Sequence, residues 1–243
     1  MHNYHYLFWA NGLCSLAAAT AFNTIIKNPV ILHKDSRKEK PAASPWNDVL
    51  LLRFLGILLV VGILFFQIFG TWSLFLRQVC GFPENRIGFL MTINALMIAL
   101  FEMQLIHRIE KKEPISMIAW GTLFMAGAFA MLSIVRNYGL IAVTVVLWTI
   151  GEMLIFPLAG AFIESRSSSG NSGTYMGLFS LTFSLSMMIS PVLGTWVYNR
   201  FSPQSLWMGA SATGLLIWFS LQRMGRLGKI EKSLPASIAS EIP

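Results

Sequence analysis

Apolar residues fall in seven long runs, near residues 6–26, 49–71, 87–106, 115–135, 139–163, 174–197 and 205–222, with polar stretches between them. A bilayer core of about 30 Å takes about 20 apolar residues in helical form, so each run predicts one transmembrane helix. Membrane-spanning strands would alternate apolar and polar residues over about 10 positions, and a run such as Ile57 to Phe66 shows no alternation. One polar break is long. Residues 27–48, with Pro29, Pro41, Pro45 and a cluster of charges, predict an irregular linker. The expected organisation is a first span over 1–26, a cytoplasmic linker over 27–48, a six-helix bundle over 49–222 and a cytoplasmic tail over 223–243. The other connections are short enough to make consecutive helices antiparallel neighbours. Three helices is an odd number, so spans five to seven run upside down relative to spans two to four. The predicted fold class is all-α integral membrane, with a bundle of two inverted three-helix repeats, an arrangement common among secondary transporters.

Charge adds an orientation. Apolar residues make up 55% of the chain and charged residues 12%, against about 25% charged in soluble domains. The net charge is +7, and it is unevenly spread. Lys27, Lys34, Arg37, Lys38 and Lys40 lie in the linker, and Arg53 lies at the base of the second span. Arg108, Lys111 and Lys112 follow the third span, Arg166 follows the fifth, and Arg223, Arg226, Lys229 and Lys232 lie in the tail. The opposite loops hold only Arg77, Arg86, Arg136 and Arg200. Positive residues collect on the cytoplasmic face, which predicts an external amino terminus and a cytoplasmic carboxyl terminus, in a bacterial inner membrane. These cations set topology, so the expected partner is the lipid bilayer and nucleic acid is not one. No lysine or arginine precedes the first run, which therefore reads as a retained span and not as a secretory signal.

Candidate chemistry is confined to polar residues inside the spans. Glu152 lies near the middle of the fifth, where a charged carboxylate costs about 2.5–3.5 kcal/mol, and such residues face a bundle interior or a wet cavity. It is the first candidate for proton coupling, with a structural hydrogen bond between helices as the alternative. Asn94 in the third span and Gln67 late in the second are further candidates for substrate contact, although such residues more often bond a neighbouring helix. Gly177, Ser180, Ser184, Pro191 and Gly194 place small residues along the sixth span, a pattern that allows close helix packing or lines a path. Pro157 removes one backbone hydrogen bond five residues after Glu152 and predicts a kink. Glu102 is expected to pair with Arg108 and Glu164 with Arg166 at the cytoplasmic ends. Trp9, Trp46, Trp72, Trp196 and Trp207 fall near span ends, as interfacial anchors do. The chain carries no phosphate-cradling loop, metal-ligand spacing or nucleophile paired with a histidine. The expectation is no catalytic residue, no metal and no cofactor: not an enzyme.

Several segments carry a family resemblance. LFWANGLCSLAAATAF (Leu7 to Phe22) resembles the sixth helix of the major facilitator superfamily, GEMLIFPLAGAF (Gly151 to Phe162) the tenth, and SGTYMGLFSLTFSLSMMISPVLGTWVYNRF (Ser172 to Phe201) the eleventh. HRIEKK resembles that family's basic loop motif, matching at Arg108, Lys111 and Lys112 and departing at His107 and Glu110. The resemblance implies helices six to twelve of a transporter with two six-helix halves, residues 27–48 being the central loop. It further implies secondary transport of a small-molecule substrate, with proton-coupled export (antiport) as the expected mode. Helices one to five would then be supplied elsewhere, by a separate amino-terminal half, or a second copy would complete the cavity. A non-transporting membrane remnant or assembly subunit is the alternative. A seven-helix receptor fits less well, because a retinal-type pigment needs a lysine inside its last span and 205–222 has none.

Overall fold

A computed structural model of the chain describes residues 5–25, 44–168 and 170–233, and these are helical throughout apart from their connections and caps. They form two units. The first contains α1 (His5–Ile25), whose Thr20 and Thr24 hydroxyls donate to carbonyls of the preceding turn. Residues 27–43 of the expected linker lie outside the described residues. The second unit opens with a short 3₁₀ turn (Pro45–Asn47) and continues through α2 (Val49–Phe66), α3 (Ser73–Gln78), α4 (Glu84–Ile109), α5 (Pro114–Ile134), α6 (Tyr138–Arg166), α7 (Ser172–Arg200) and α8 (Pro203–Ser233).

A π-helical turn over Ile68–Trp72 joins α2 to α3, the Trp72 amide donating to the Gln67 carbonyl five residues back at 3.0 Å. The two helices and the turn make one rod, Val49–Gln78, longer than the apolar run predicts. This rod, α4, α5, α6 and α7 are each long and apolar enough to cross a membrane, and α1 contributes a shorter apolar stretch, Gly12–Phe22. With the rod counted once, seven long helices are described, matching the seven apolar runs. α8 continues helically past residue 222. After α3 the chain reverses at Gly81, whose φ of 68° favours a residue without a Cβ.

The helices pack as the inverted-repeat expectation requires. α4, the middle helix of the first three, crosses to lie against α6; α7, the middle helix of the second three, crosses to lie against α2. α5 forms the centre, packed on both α6 and α8. Burial follows this layout: in the most apolar 18 residues of each helix, 56% are buried in α5 and 50% in α6, against 6% in α4 and 17% in α7. Two of the expected interfacial tryptophans belong to the core instead. Trp72 stacks on Trp148 and Trp207 on Phe129, all fully or nearly fully buried, while Trp46 and Trp196 are exposed.

At one end of the bundle Asp48 caps α2, its Oδ1 accepting from the Leu51 amide at 3.0 Å. The same carboxylate accepts from Arg166 Nε and Nη2, both at 2.8 Å, and so ties the start of α2 to the end of α6. The expected Glu164–Arg166 and Glu102–Arg108 pairs are not formed among the described residues; Arg166 turns to Asp48, and His107 pairs with Glu110. Arg166 chooses Asp48 because two parallel N–H groups match a carboxylate held nearly buried at 15% side-chain exposure. Partial burial alone would raise the Asp48 pKa, but the Arg166 hydrogen bonds, the Leu51 amide and the guanidinium charge hold it below the ordinary value. Its contribution to stability is therefore complete above about pH 4 and lost as pH falls below that through the lowered folded-state value. Asp48→Asn should cost about 1 kcal/mol in thermal unfolding of the purified chain at neutral pH. Wild type and variant should converge as pH falls from about 4 through the lowered folded-state value; a difference that stays equal at all pH values would show that the Asp48 charge does not carry the effect.

Candidate functional site

Both crossing seams of the bundle carry a polar side chain at mid-span. The α4–α6 seam begins with a close contact on its far side. Gly121 of α5 and Gly151 of α6 face each other so tightly that a Cβ on Gly121 would lie 2.9 Å from the Gly151 carbonyl oxygen, and one on Gly151 would lie 2.7 Å from that of Gly121. With Gly151 turned to α5, the next residue is rotated by about 100°, which carries Glu152 round to α4. There Asn94 Nδ2 donates to Glu152 Oε2 at 2.9 Å and to Thr149 Oγ1 at 3.0 Å, while the Thr149 hydroxyl donates to the Val145 carbonyl at 2.7 Å. Glu152 and Asn94 are half-buried and Thr149 is fully buried. Two candidates separated by 58 positions are thus brought into direct contact. One helical turn further along α6, Phe156 packs edge-on against Phe65 and Phe183, closing that side with aromatic rings. Where α4 and α6 begin, Asn85, Arg86, Phe89 and Tyr138 line an open depression of about 420 Å³.

Gln67 lies in the other seam, between α2 and α7, apart from Glu152. It is 2% exposed; its Nε2 donates to the Ser190 carbonyl at 2.8 Å and its Oε1 accepts from the Thr71 hydroxyl at 2.7 Å. Gly194 leaves the room for this amide, since a Cβ there would strike Gln67. Ser186 and Ser190 extend the seam by donating to the Leu59 and Ile63 carbonyls at 2.9 and 2.8 Å, and Gly62 sits against Ser186. The small-residue candidates of α7 therefore divide. Gly194 is in the seam, whereas Gly177, Ser180, Ser184 and Pro191 lie on the exposed face. Sequence reading missed Gly62, Thr149, Ser186 and Ser190, although Ser186, Ser190 and Gly194 are spaced by four. α6 and α7 remain single helices through Pro157 and Pro191. Arg108, Lys111 and Lys112 are exposed around the α4–α5 turn.

The site is a titratable, hydrogen-bonded carboxylate in the wall of a membrane-type bundle, and the comparisons place that bundle. The model of the Major Facilitator Superfamily matches residues 1–191. The chain belongs to this superfamily. Two curated relatives from Bacillus subtilis (strain 168) carry the same family label. The uncharacterized MFS-type transporter YqjV is 23% identical over 133 residues, which is 54% of this chain and 31% of YqjV. The uncharacterized MFS-type transporter YttB is 25% identical over 150 residues, 60% of this chain and 38% of YttB. The chain thus spans about a third of the length of the superfamily relatives it matches. Among solved structures, the human organic anion transporter MFSD10 (TETRAN) superposes with a TM-score of 0.67 at 20% identity, over 70% of this chain and 40% of that one. This likeness carries the superfamily fold.

Proposed function

We propose that this chain forms the carboxyl-terminal half of a proton-coupled secondary transporter, with Glu152 as its coupling carboxylate. The observation that carries the reading is the Glu152–Asn94 contact: a mid-span carboxyl group, half-exposed in the seam of a sparsely buried helix, with a neutral amide as its hydrogen-bond partner. A carboxylate fixed in a structural ion pair would stay charged; one held by an amide can accept and release a proton without leaving a buried cation unpaired. Superfamily membership supports membrane transport of some substrate. Proton-coupled export of a small molecule, an external amino terminus and a bacterial inner membrane are the reading's finer parts. The orientation is supported by Arg53, Arg108, Lys111, Lys112 and Arg166, which among the described residues lie toward the end of the bundle opposite Arg77, Arg86, Arg136 and Arg200. The sealed Gln67 seam and the titratable Glu152 seam have separate tasks in this reading, the first structural and the second coupling.

Glu152→Gln keeps the size and the hydrogen-bonding capacity and removes the titratable group. In vesicles holding the chain assembled with an amino-terminal half, the variant should insert normally and lose pH-driven transport by about 100-fold or more. Normal transport across a pH gradient by Glu152→Gln would make the residue structural and place coupling outside these helices.

A further inference from the structure

The open depression where α4 and α6 begin has no part in the function proposed above. On α4, Asn85 and Phe89 stand one helical turn apart with Arg86 beside them, and the first residue of α6, Tyr138, completes the lining. Tyr138 is held from three sides. Its hydroxyl donates to the Arg86 carbonyl at 3.3 Å, its ring meets Phe82 edge-on with centroids 5.3 Å apart, and the Arg86 guanidinium carbon lies 5.5 Å from the ring centroid. Asn85 Oδ1 accepts from the Arg86 amide at 2.9 Å, which leaves the Asn85 Nδ2 group to donate. The Arg86 guanidinium has no carboxylate partner among the described residues. Glu84, its neighbour in sequence, is engaged by Arg77 at 3.0 Å, and Arg136 turns onto the Leu132 and Val135 carbonyls at 3.1 and 2.7 Å. Among the described residues, Glu84 is also the only acid at this end of the bundle, against Arg77, Arg86, Arg136 and Arg200.

We infer that this depression binds an organic anion with an aromatic body, its carboxylate or sulfonate held by Arg86 and Asn85 Nδ2 and its ring laid against Phe89 and Tyr138. A guanidinium without a carboxylate presents parallel N–H groups that match a planar or tetrahedral oxyanion. Phe89 is 60% exposed, so its ring has a face to offer. The rings favour a flat aromatic body over an acyl chain, because only the former adds ring-on-ring contact. The volume of about 420 Å³ falls within the range of small-molecule sites. The uneven charge at this end also draws anions toward it. Along α4, Asn94 follows Arg86 by eight residues, about 12 Å of helix. A bound anion therefore sits at the entry to the seam that holds Glu152 and leaves the Glu152–Asn94 contact intact.

The test is a saturation-transfer NMR titration of naphthalenesulfonate against the purified chain in phosphatidylcholine nanodiscs, read as the difference from empty nanodiscs. The wild type should bind the probe. Naphthalenemethanol, which lacks the charge, and methanesulfonate, which lacks the ring, should each bind at least about tenfold more weakly. Arg86→Gln should raise the Kd about tenfold or more. Arg86→Lys should recover part of that loss, since it keeps the charge without the planar fork, and Phe89→Ala should raise the Kd about threefold. Arg86 and Phe89 are both exposed, so these variants should fold as the wild type does. Arg200→Gln removes the same charge from the same end of the bundle and should change the Kd by less than about twofold. Equal losses in Arg86→Gln and Arg200→Gln would reduce the site to diffuse positive charge and overturn the inference. So would equal binding of naphthalenemethanol, or no binding of the probe to the wild type. Native mass spectrometry that found phosphatidylglycerol retained by the wild type and lost by Arg86→Gln would assign the depression to a lipid headgroup and overturn it as well. Binding is read without transport, so each of these results leaves the Glu152→Gln transport test to decide the coupling role by itself.

Discussion

Gly151→Leu should force α5 and α6 apart and lower the stability of the purified chain by about 3 kcal/mol or more. Membrane helices gain no hydrophobic free energy from leaving lipid for each other, so their association depends on close packing. At the α5–α6 contact the packing is backbone on backbone: the atom nearest a Cβ on Gly151 is the Gly121 carbonyl oxygen at 2.7 Å, followed by the Met125 amide nitrogen at 3.3 Å. Neither can swing aside as a side-chain tip would. The reciprocal Gly121→Leu should cost as much, and the double variant should show non-additive losses because both remove one contact. Gly127, on the same α5, has open space where a Cβ would stand, so Gly127→Ala should be neutral or mildly stabilising. Thermal unfolding in detergent followed by size-exclusion chromatography separates these outcomes. Absence of any loss in Gly151→Leu, as in Gly127→Ala, would mean that the close approach does not hold α5 to α6. Glu152 would suffer as well, since it reaches Asn94 only because its neighbour is pinned to α5.

Gly194→Ala should cost about 2 kcal/mol through a different route. Its Cβ would occupy the position of the Gln67 amide, a flexible group, so the clash is relieved by moving that side chain. Relief is costly because the amide is buried and satisfied by Ser190 and Thr71; displaced, it leaves buried polar atoms unpaired. Gln67→Ala alone should also destabilise. In the Gly194→Ala background, however, it should cost little or restore stability, because the displaced amide is then absent. A double-mutant cycle reads this as a coupling energy of at least about 1 kcal/mol. Strict additivity would show that the Gln67 bridge does not hold α2 to α7.

The spans were legible in the apolar runs because lipid allows few alternatives; some helix ends moved outward by the polar residues that continue a helix into water, as at Glu84 and Arg166, while the second span ran on through the buried Phe75 and Leu76 to Gln78. Glu152 and Asn94 were legible as isolated polar residues in apolar surroundings. That they touch was not, because the contact depends on α4 crossing from one three-helix unit to the other. The faces of α7 were harder still. Gly177, Ser180, Ser184 and Pro191 follow helical spacing as well as Thr182, Ser186, Ser190 and Gly194 do. Where lipid and protein interior are both apolar, hydrophobicity does not tell the two stripes apart. What distinguishes them is the carbonyl partner each hydroxyl finds: Ser186 and Ser190 reach Leu59 and Ile63 across the seam, while Ser184 bonds Ser180 within its own helix. Trp72 and Trp207 show a related ambiguity, since a ring near a span end serves equally as an anchor or as a stacked core residue.

The turn that joins α2 to α3 acts as an expansion joint. A π turn is an α-helix holding one residue more than its pitch accommodates, so the surplus residue is absorbed inside a single turn and the helix resumes beyond it. The Trp72 amide closes that turn on the Gln67 carbonyl, and Trp72, Phe75 and Leu76 follow in the core. Removing one residue at the exposed Phe69 would turn that bond into an ordinary α-helical one and leave Trp72 against Trp148. The length of the stretch between Gln67 and Trp72 is thus a tolerance built into the rod, while the rings beyond it are held by what they pack against.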